Sequence, residues 1–162
     1  MNEWYNNSYL RHISKKLVDN RENLATAESV TSGHLQAALS LAPNALDFFE
    51  GGITTYNLKQ KSKILSVDPR SALPCDCVSQ EVAIVMAKNT TNLFNSSWGI
   101  AVTGYASPVP EKQIEELFAC YAMYHRSGRV ESGQIQGRDG TPLEVAIDYT
   151  NQLLKIFLKL LS

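Results

Sequence analysis

Positive charge is not in excess in this chain: 15 Lys and Arg stand against 16 Asp and Glu, for a formal net charge of -1. Without a global basic field, no nucleic-acid partner is expected. There is no apolar run close to the roughly 20 residues that cross a bilayer. Met1-Asn2-Glu3-Trp4-Tyr5 lacks the basic-then-apolar build of a signal peptide, so no membrane attachment is expected either. Cysteine is scarce, with three residues at Cys75, Cys77 and Cys120. An odd count without a secretion signal points to reduced thiols and a cytoplasmic location. Cys75-Asp76-Cys77 is half of a metal site at most. No second Cys/His pair follows at ligand spacing, and no metal is expected. Charged residues make up only 19% of the chain, which excludes a disordered polyelectrolyte. What remains is 162 residues, enough for a single domain over 1–162 with one sizeable core.

The most informative stretch is Leu24 to Leu39, L-A-T-A-E-S-V-T-S-G-H-L-Q-A-A-L. Leu24 to Ala27 are small and apolar and read as a buried strand. From His34 onward the apolar residues Leu35, Ala38, Leu39 and Ala42 fall at helical spacing. Between them runs Glu28-Ser29-Val30-Thr31-Ser32-Gly33. A strand that turns sharply into a helix aims free backbone N–H groups and the helix dipole at one spot. That spot favours an anion, a phosphate or a developing oxyanion. The same hydroxyls have a plainer use, since Ser29, Thr31 or Ser32 could serve as the N-cap.

Around this unit the chain alternates. Asn7-Ser8 opens a helix to about Asn20 with Leu10, Ile13 and Leu17 on one face. Pro43-Asn44-Ala45 makes a turn. Ile53, Thr54, Thr55 and Tyr56 favour a strand. Gly51-Gly52 before them suggest a bulge or the close approach of a ligand or partner chain. Asn57 to Leu65 has Leu58, Lys61, Ile64 and Leu65 at helical spacing. A lysine on that stripe either snorkels to water or sits in a partly buried site, and snorkelling is the ordinary outcome. Val67 to Pro74 reads as a loop. Ser79 caps a helix to about Asn95 with Val82, Val85, Met86, Leu93 and Phe94 inward. Trp98 to Thr103 reads as a central strand ending in a loop from Gly104 that could line a pocket. Leu117 to His125 and Arg129 to Ile135 make a hairpin, with His125 expected exposed. Thr141-Pro142-Leu143-Glu144 announces the last helix through a cap, a first-turn proline and a capping-box Glu. Leu143, Ala146, Ile147, Leu153, Leu154, Phe157 and Leu161 form its apolar stripe. The order predicts an α/β fold, a three-layer α/β/α sandwich around a mixed sheet.

Four ordered motifs together resemble a known family. They are Ala27-Glu28-Ser29-Val30-Thr31-Ser32-Gly33, Phe49-Glu50-Gly51-Gly52-Ile53-Thr54-Thr55-Tyr56 with Lys61, Val78-Ser79-Gln80-Glu81-Val82-Ala83, and Ala101-Val102-Thr103-Gly104. They are similar to the CinA C-terminal domain, over about residues 8 to 161. Active members of that family are nicotinamide mononucleotide deamidases, serine amidohydrolases with a Ser/Lys dyad and no metal. The resemblance implies Ser29 as nucleophile and Lys61 as base, and no cofactor. It implies a pyridine mononucleotide or a related small amide as substrate, pyridine nucleotide salvage as setting, and self-association into a homo-oligomer. Glu28, Thr31, Ser32, Gly33, Tyr56, Thr103, Gly104 and Arg138 become the expected substrate contacts.

The chain also departs from the family pattern. Val30 and Ser32 stand where the family usually has Cys and Gly in Glu-Ser-Cys-Thr-Gly-Gly. The loop Tyr105 to Lys112 replaces a glycine-rich Ile-Ala-Gly-Pro run, and Glu116-Leu117-Phe118 replace a Gly-Thr-Val. Gly137-Arg138-Asp139 stands for Gly-Asp-Arg, and Glu144 lies near the place of a further arginine. Losing an arginine weakens a phosphate site. The alternative is therefore a degenerate relative that keeps the pocket, binds a nucleotide or a partner, and does no chemistry.

Overall fold

The computed structural model describes residues 3–162. Its elements in order are α1 (Asn7–Asn20), β1 (Leu24–Glu28), α2 (His34–Ser40), β2 (Phe49–Thr54), α3 (Leu58–Leu65), α4 (Pro69–Ala72), α5 (Gln80–Phe94), β3 (Trp98–Gly104), β4 (Phe118–His125), β5 (Val130–Gln136) and α6 (Pro142–Leu160). The five strands form one mixed sheet in the order β2-β1-β3-β4-β5. β1 runs parallel to β2 and β3, while β4 is antiparallel to both of its neighbours, β3 and β5. All five residues of β1 are buried, as a strand covered on both faces must be.

Two apolar clusters lie on opposite faces of the sheet. One joins Leu10, Ile13 and Leu17 of α1, Leu35 and Leu39 of α2, and Leu153, Leu154 and Phe157 of α6. The other joins Leu65 of α3, Ala72 of α4, and Val82, Ala83, Met86 and Ala87 of α5. This is the expected three-layer α/β/α arrangement. It has a consequence for position. The chain leaves β1 onto one face through α2 and leaves β2 onto the other face through α3. Their carboxyl ends therefore flank a crevice, the place where open α/β sheets present ligand sites.

Local sequence accounts for most of the ends. Asn6, Asn57, Asp68, Ser79 and Thr141 each accept a backbone N–H at a helix start. At Thr141 the full capping box forms, with Glu144 returning a bond to the Thr141 N–H. The segment 67–74 is not the expected loop. Asp68 and Pro69 start the short α4, and a 3-10 turn follows over Leu73–Cys75.

Side-chain placement departs at both ends of the apolar stripes. Leu93 and Leu143, near the ends of α5 and α6, are 53% and 48% exposed. His125 is not exposed: it is half-buried against Trp98, with ring centroids 4.6 Å apart, and its Nε2 meets Glu22 at 3.0 Å. The Gly51-Gly52 pair does mark a bulge, a register shift opposite Leu24/Ala25. The close approach at Gly52 is internal, however: a Cβ there would fall 2.2 Å from Thr26 Oγ1 and 2.6 Å from Gln36 Cγ. Gly99 of β3 is tighter against backbone, since its Cβ would stand 2.3 Å from the Ala87 carbonyl oxygen of α5.

Overpacking against an immobile carbonyl typically costs about 1–3 kcal/mol. Gly99→Ala is therefore expected to lower the urea unfolding midpoint by that amount of stability with an unchanged m-value, read by circular dichroism.

Candidate functional site

β1 ends at Glu28, and the turn that follows is held by that residue. Glu28 is fully buried. Its Oε1 accepts from Thr31 Oγ1 at 2.7 Å, Gly33 N at 3.2 Å and Leu35 N at 2.8 Å. Its Oε2 accepts from Gln36 N at 3.0 Å and Gln36 Nε2 at 2.8 Å. None of the three hydroxyls caps α2; the N-cap position is Gly33, with no side-chain bond of its own. The capping carboxylate comes instead from the strand, where the positive end of the helix dipole favours it. Glu28 is thus withdrawn from the expected set of substrate contacts, because both its oxygens are spent inside the fold. The Gly33 N–H is withdrawn from that set too, because it is spent on Glu28. Sequence inspection had one usable signal: α2 carries no acid in its first turn.

The remaining N–H groups can be followed one by one. Ser29 N donates to Val102 O at 3.1 Å, Ser32 N to Ser29 O at 3.1 Å and His34 N to Thr31 O at 2.9 Å. Val30 N and Thr31 N have no acceptor among the described residues. They directly follow Ser29, whose side chain is nearly buried at the head of the turn. The Thr31 hydroxyl is taken up by Glu28. Ser32 adopts φ 46°, the left-handed region, and is exposed. The glycine usual at this place in the resembling family would relieve that strain.

Lys61 comes from α3 and does not snorkel. It is 2% exposed. Its Nζ lies 2.8 Å from Ser29 Oγ and donates to the Thr55 carbonyl oxygen at 2.8 Å. The crevice explains the meeting. Thr55 N bonds Glu28 O at 2.9 Å, which draws the end of β2 against the end of β1, and α3 follows at once. No ion pair among the described residues includes Lys61. Burial therefore pushes its pKa below the ordinary lysine value, against a smaller opposing pull from Cys77 and Asp76.

A cleft of about 530 Å³ opens beside Ser29, with Val30, Tyr56, Asp76, Gly104, Tyr105 and Lys112 in its wall. Tyr56 is 70% exposed at its rim. Thr103 is not in that wall. It is buried, and its hydroxyl donates to Cys77 O at 2.8 Å, fixing the turn that carries Asp76. Arg138 is also outside it, exposed, with Nε donating to Asp139 O at 3.3 Å. The cation of the cleft is Lys112, whose Nζ pairs with Asp76 Oδ1 at 2.7 Å. Asp76 Oδ2 accepts from Tyr105 OH at 3.1 Å. Sequence reading passed over these three. Nothing in the spacing of 76 and 112 announces that they meet. No group of three His, Cys, Asp or Glu among the described residues forms a metal cluster, and no described helix is long and apolar enough to cross a membrane.

Fold and site together define an α/β protein with a serine hydroxyl and a buried lysine amine paired at the carboxyl end of its parallel strands. A family model for the CinA C-terminal domain matches residues 6–155, and the chain belongs to that family. A CinA-like protein of Synechocystis sp. is 35% identical over 133 residues, covering 78% of this chain and 32% of that protein. Another, from Amoebophilus asiaticus, is 34% identical over 122 residues, covering 73% and 29%. The chain spans about a third of the length of these curated relatives. Among solved structures, the competence or damage-inducible protein of Enterobacter asburiae superposes with a TM-score of 0.90 at 27% identity, over 96% of this chain and 98% of that one. A CinA superfamily protein of Enterobacter cloacae gives 0.91 at 26% identity, over 100% and 95%.

Two outcomes follow. Because the folded state holds Lys61 at a lowered pKa, the unfolded chain binds the extra proton in the window between that value and the ordinary one. Stability then rises with pH across the window and is lowest below it. Lys61→Met should flatten this rise in denaturant titrations taken from neutral to alkaline pH. Ser32→Gly should raise stability by about 1 kcal/mol by removing the left-handed penalty, read in the same titrations.

Proposed function

We propose that this chain is an amidohydrolase that converts the carboxamide of nicotinamide mononucleotide, or of a closely related pyridine amide, to the carboxylate and ammonia. The observation that carries the reading is the 2.8 Å approach of Lys61 Nζ to Ser29 Oγ, made by a lysine that burial pushes toward neutrality. An unactivated serine is a weak nucleophile, and an amide is a poor electrophile. A neutral lysine amine within hydrogen-bond reach answers the first difficulty by taking the hydroxyl proton during attack.

The steps balance. Ser29 Oγ adds to the amide carbon while its proton passes to Lys61 Nζ. The carbonyl oxygen becomes an oxyanion beside Val30 N–H and Thr31 N–H, the donors that the fold leaves unspent. Removing one such donor typically costs about 10²–10³ in rate. The protonated Lys61 then gives its proton to the leaving nitrogen, and ammonia departs from an acyl-serine. Water attacks that ester with Lys61 again accepting a proton, and the carboxylate leaves as Ser29 regains its hydrogen. The cleft volume of about 530 Å³ falls in the range usual for small-ligand sites, about 300–1,000 Å³. Family membership supports the same reading.

Ammonia release from nicotinamide mononucleotide tests it. The unaltered chain should turn over, Ser29→Ala should show no burst or steady-state release, and Lys61→Met should lose about 10²–10⁴ in kcat, the usual worth of a positioned base. Equal rates in all three proteins would sink the proposal. Tight binding of the mononucleotide by the unaltered chain without ammonia would instead support a pocket that senses rather than reacts.

A further inference from the structure

Asp76 and Lys112 are the charged residues in the wall of the Ser29 cleft, one of each sign. They face each other at 2.7 Å, half-exposed, with side chains 43% and 50% accessible. An ion pair this wet contributes little to stability, so it can open without disturbing the fold. Its members come from segments that are themselves fixed. Asp76 sits in the left-handed region at φ 53°, with its N–H on Leu73 O at 3.2 Å. The turn beside it is tied to β3 by the Thr103–Cys77 bond. Lys112 sits in a 3-10 turn whose loop is closed by the Val109–Ile114 bridge.

We propose that this pair reads charge in the substrate: it opens to take a zwitterionic amide, Asp76 meeting a cationic ring and Lys112 meeting an anionic substituent such as a phosphate monoester. The inference rests on the amidohydrolase reading above and adds the charge class that the cleft selects. A quaternised pyridine amide bearing a phosphate has both charges, and each would replace a partner that the pair already satisfies. A neutral amide would leave the pair closed across the cleft. A purely anionic ligand would meet Lys112 but strand Asp76 beside its negative charge, and a purely cationic one would do the reverse. Tyr105 keeps Asp76 oriented during the exchange. Its hydroxyl pKa is pushed up to about 12 by burial and by the Asp76 bond, so it stays a donor at neutral pH. A ring cation against Asp76 would also offset the pull by which that carboxylate holds the Lys61 pKa up. The base would then be most neutral when a cationic substrate is in place.

The test is a matrix of four probes and three proteins. The probes are nicotinamide mononucleotide, nicotinamide riboside, reduced nicotinamide mononucleotide and nicotinamide. They carry both charges, the cation alone, the phosphate alone, and neither. The proteins are Ser29→Ala, which prevents hydrolysis during titration, and the same protein with Asp76→Asn or with Lys112→Gln. Both added changes are at half-exposed side chains, and circular dichroism checks the fold. Dissociation constants are read by calorimetry. Losing a charged hydrogen bond typically weakens binding roughly ten- to hundredfold. Asp76→Asn should weaken the two cationic-ring probes by that factor and leave the other two unchanged. Lys112→Gln should weaken the two phosphate probes and leave the other two unchanged. If either variant shifts all four probes alike, or none, the charge-reading assignment is overturned. Ammonia release by the unaltered chain alongside such a result would overturn this inference alone. Absence of both release and binding would overturn the amidohydrolase reading with it.

Discussion

The carboxylate of Glu28 decides what the end of β1 can do. A helix N-terminus is ordinarily open to a ligand anion, because its first N–H groups lack partners. Here the strand supplies the anion itself. Two buried oxygens take up Gly33, Leu35 and Gln36 N–H, the Thr31 hydroxyl and the Gln36 side-chain amide. A buried carboxylate without such partners would cost several kcal/mol. With them, it locks the strand-to-helix turn in one conformation. The arrangement also narrows the chemistry. The helix mouth no longer offers a broad phosphate cradle, and the donors left over are the two that follow Ser29.

Lys61 is the complementary constraint. Glu28 is buried and fully bonded; Lys61 is buried with two oxygen partners and no carboxylate among them. A protein that merely needed to fill the space could have used leucine or methionine at that position, as the flanking stripe Leu58, Ile64 and Leu65 does. The amine is kept at an energetic cost, because burying it disfavours the charged form. Costs of that kind concentrate at sites that use the perturbed group. The sheet makes the pairing possible: β1 and β2 are neighbours, their exits diverge to opposite faces, and the Thr55–Glu28 backbone bond of 2.9 Å closes the gap between them.

Much of this was legible in the chain, and the failures have physical reasons. Buried strands announced themselves through short apolar runs, and the last helix through its capping box, because those signals are local. The Ser29–Lys61 pairing was legible only through the ordered motifs of the resembling family; spacing alone favoured a snorkelling lysine. Spacing alone misleads for Lys61, because whether a stripe lysine reaches water depends on what covers the helix, here the β1–β2 crevice. Helical periodicity points Leu93 and Leu143 inward, because it gives the face a residue takes and not how far that position is covered. The sequence around His125 does not show its burial, because its partners, Trp98 and Glu22, lie far away in the chain. Lys112 likewise meets its partner, Asp76, across a long stretch of sequence. Lys112 and Arg138 flank the β4–β5 hairpin, and only the tertiary path of the loop after β3 puts Lys112 over the cleft.

That loop turns the apparent losses of the motif comparison into a different arrangement rather than a missing part. A glycine-rich segment would approach a ligand with backbone; this one approaches with side chains. It is not slack. Tyr105 N bonds Phe118 O at 3.0 Å, Tyr149 OH donates to Tyr105 O at 2.8 Å, and Val109 and Ile114 pair across its middle. The aromatic ring of Tyr105 also stands edge-on to Phe118, with centroids 5.4 Å apart. A loop fixed at its root by β4 and α6 holds Lys112 at a defined distance from Asp76. A site built this way carries paired charges at its rim, while the Glu28 turn below keeps both carboxylate oxygens inside the fold. The rim acts on Lys61 through the charge of Asp76 but makes none of its bonds, so the glycines and the arginine can change while the 2.8 Å contact to Ser29 stays intact.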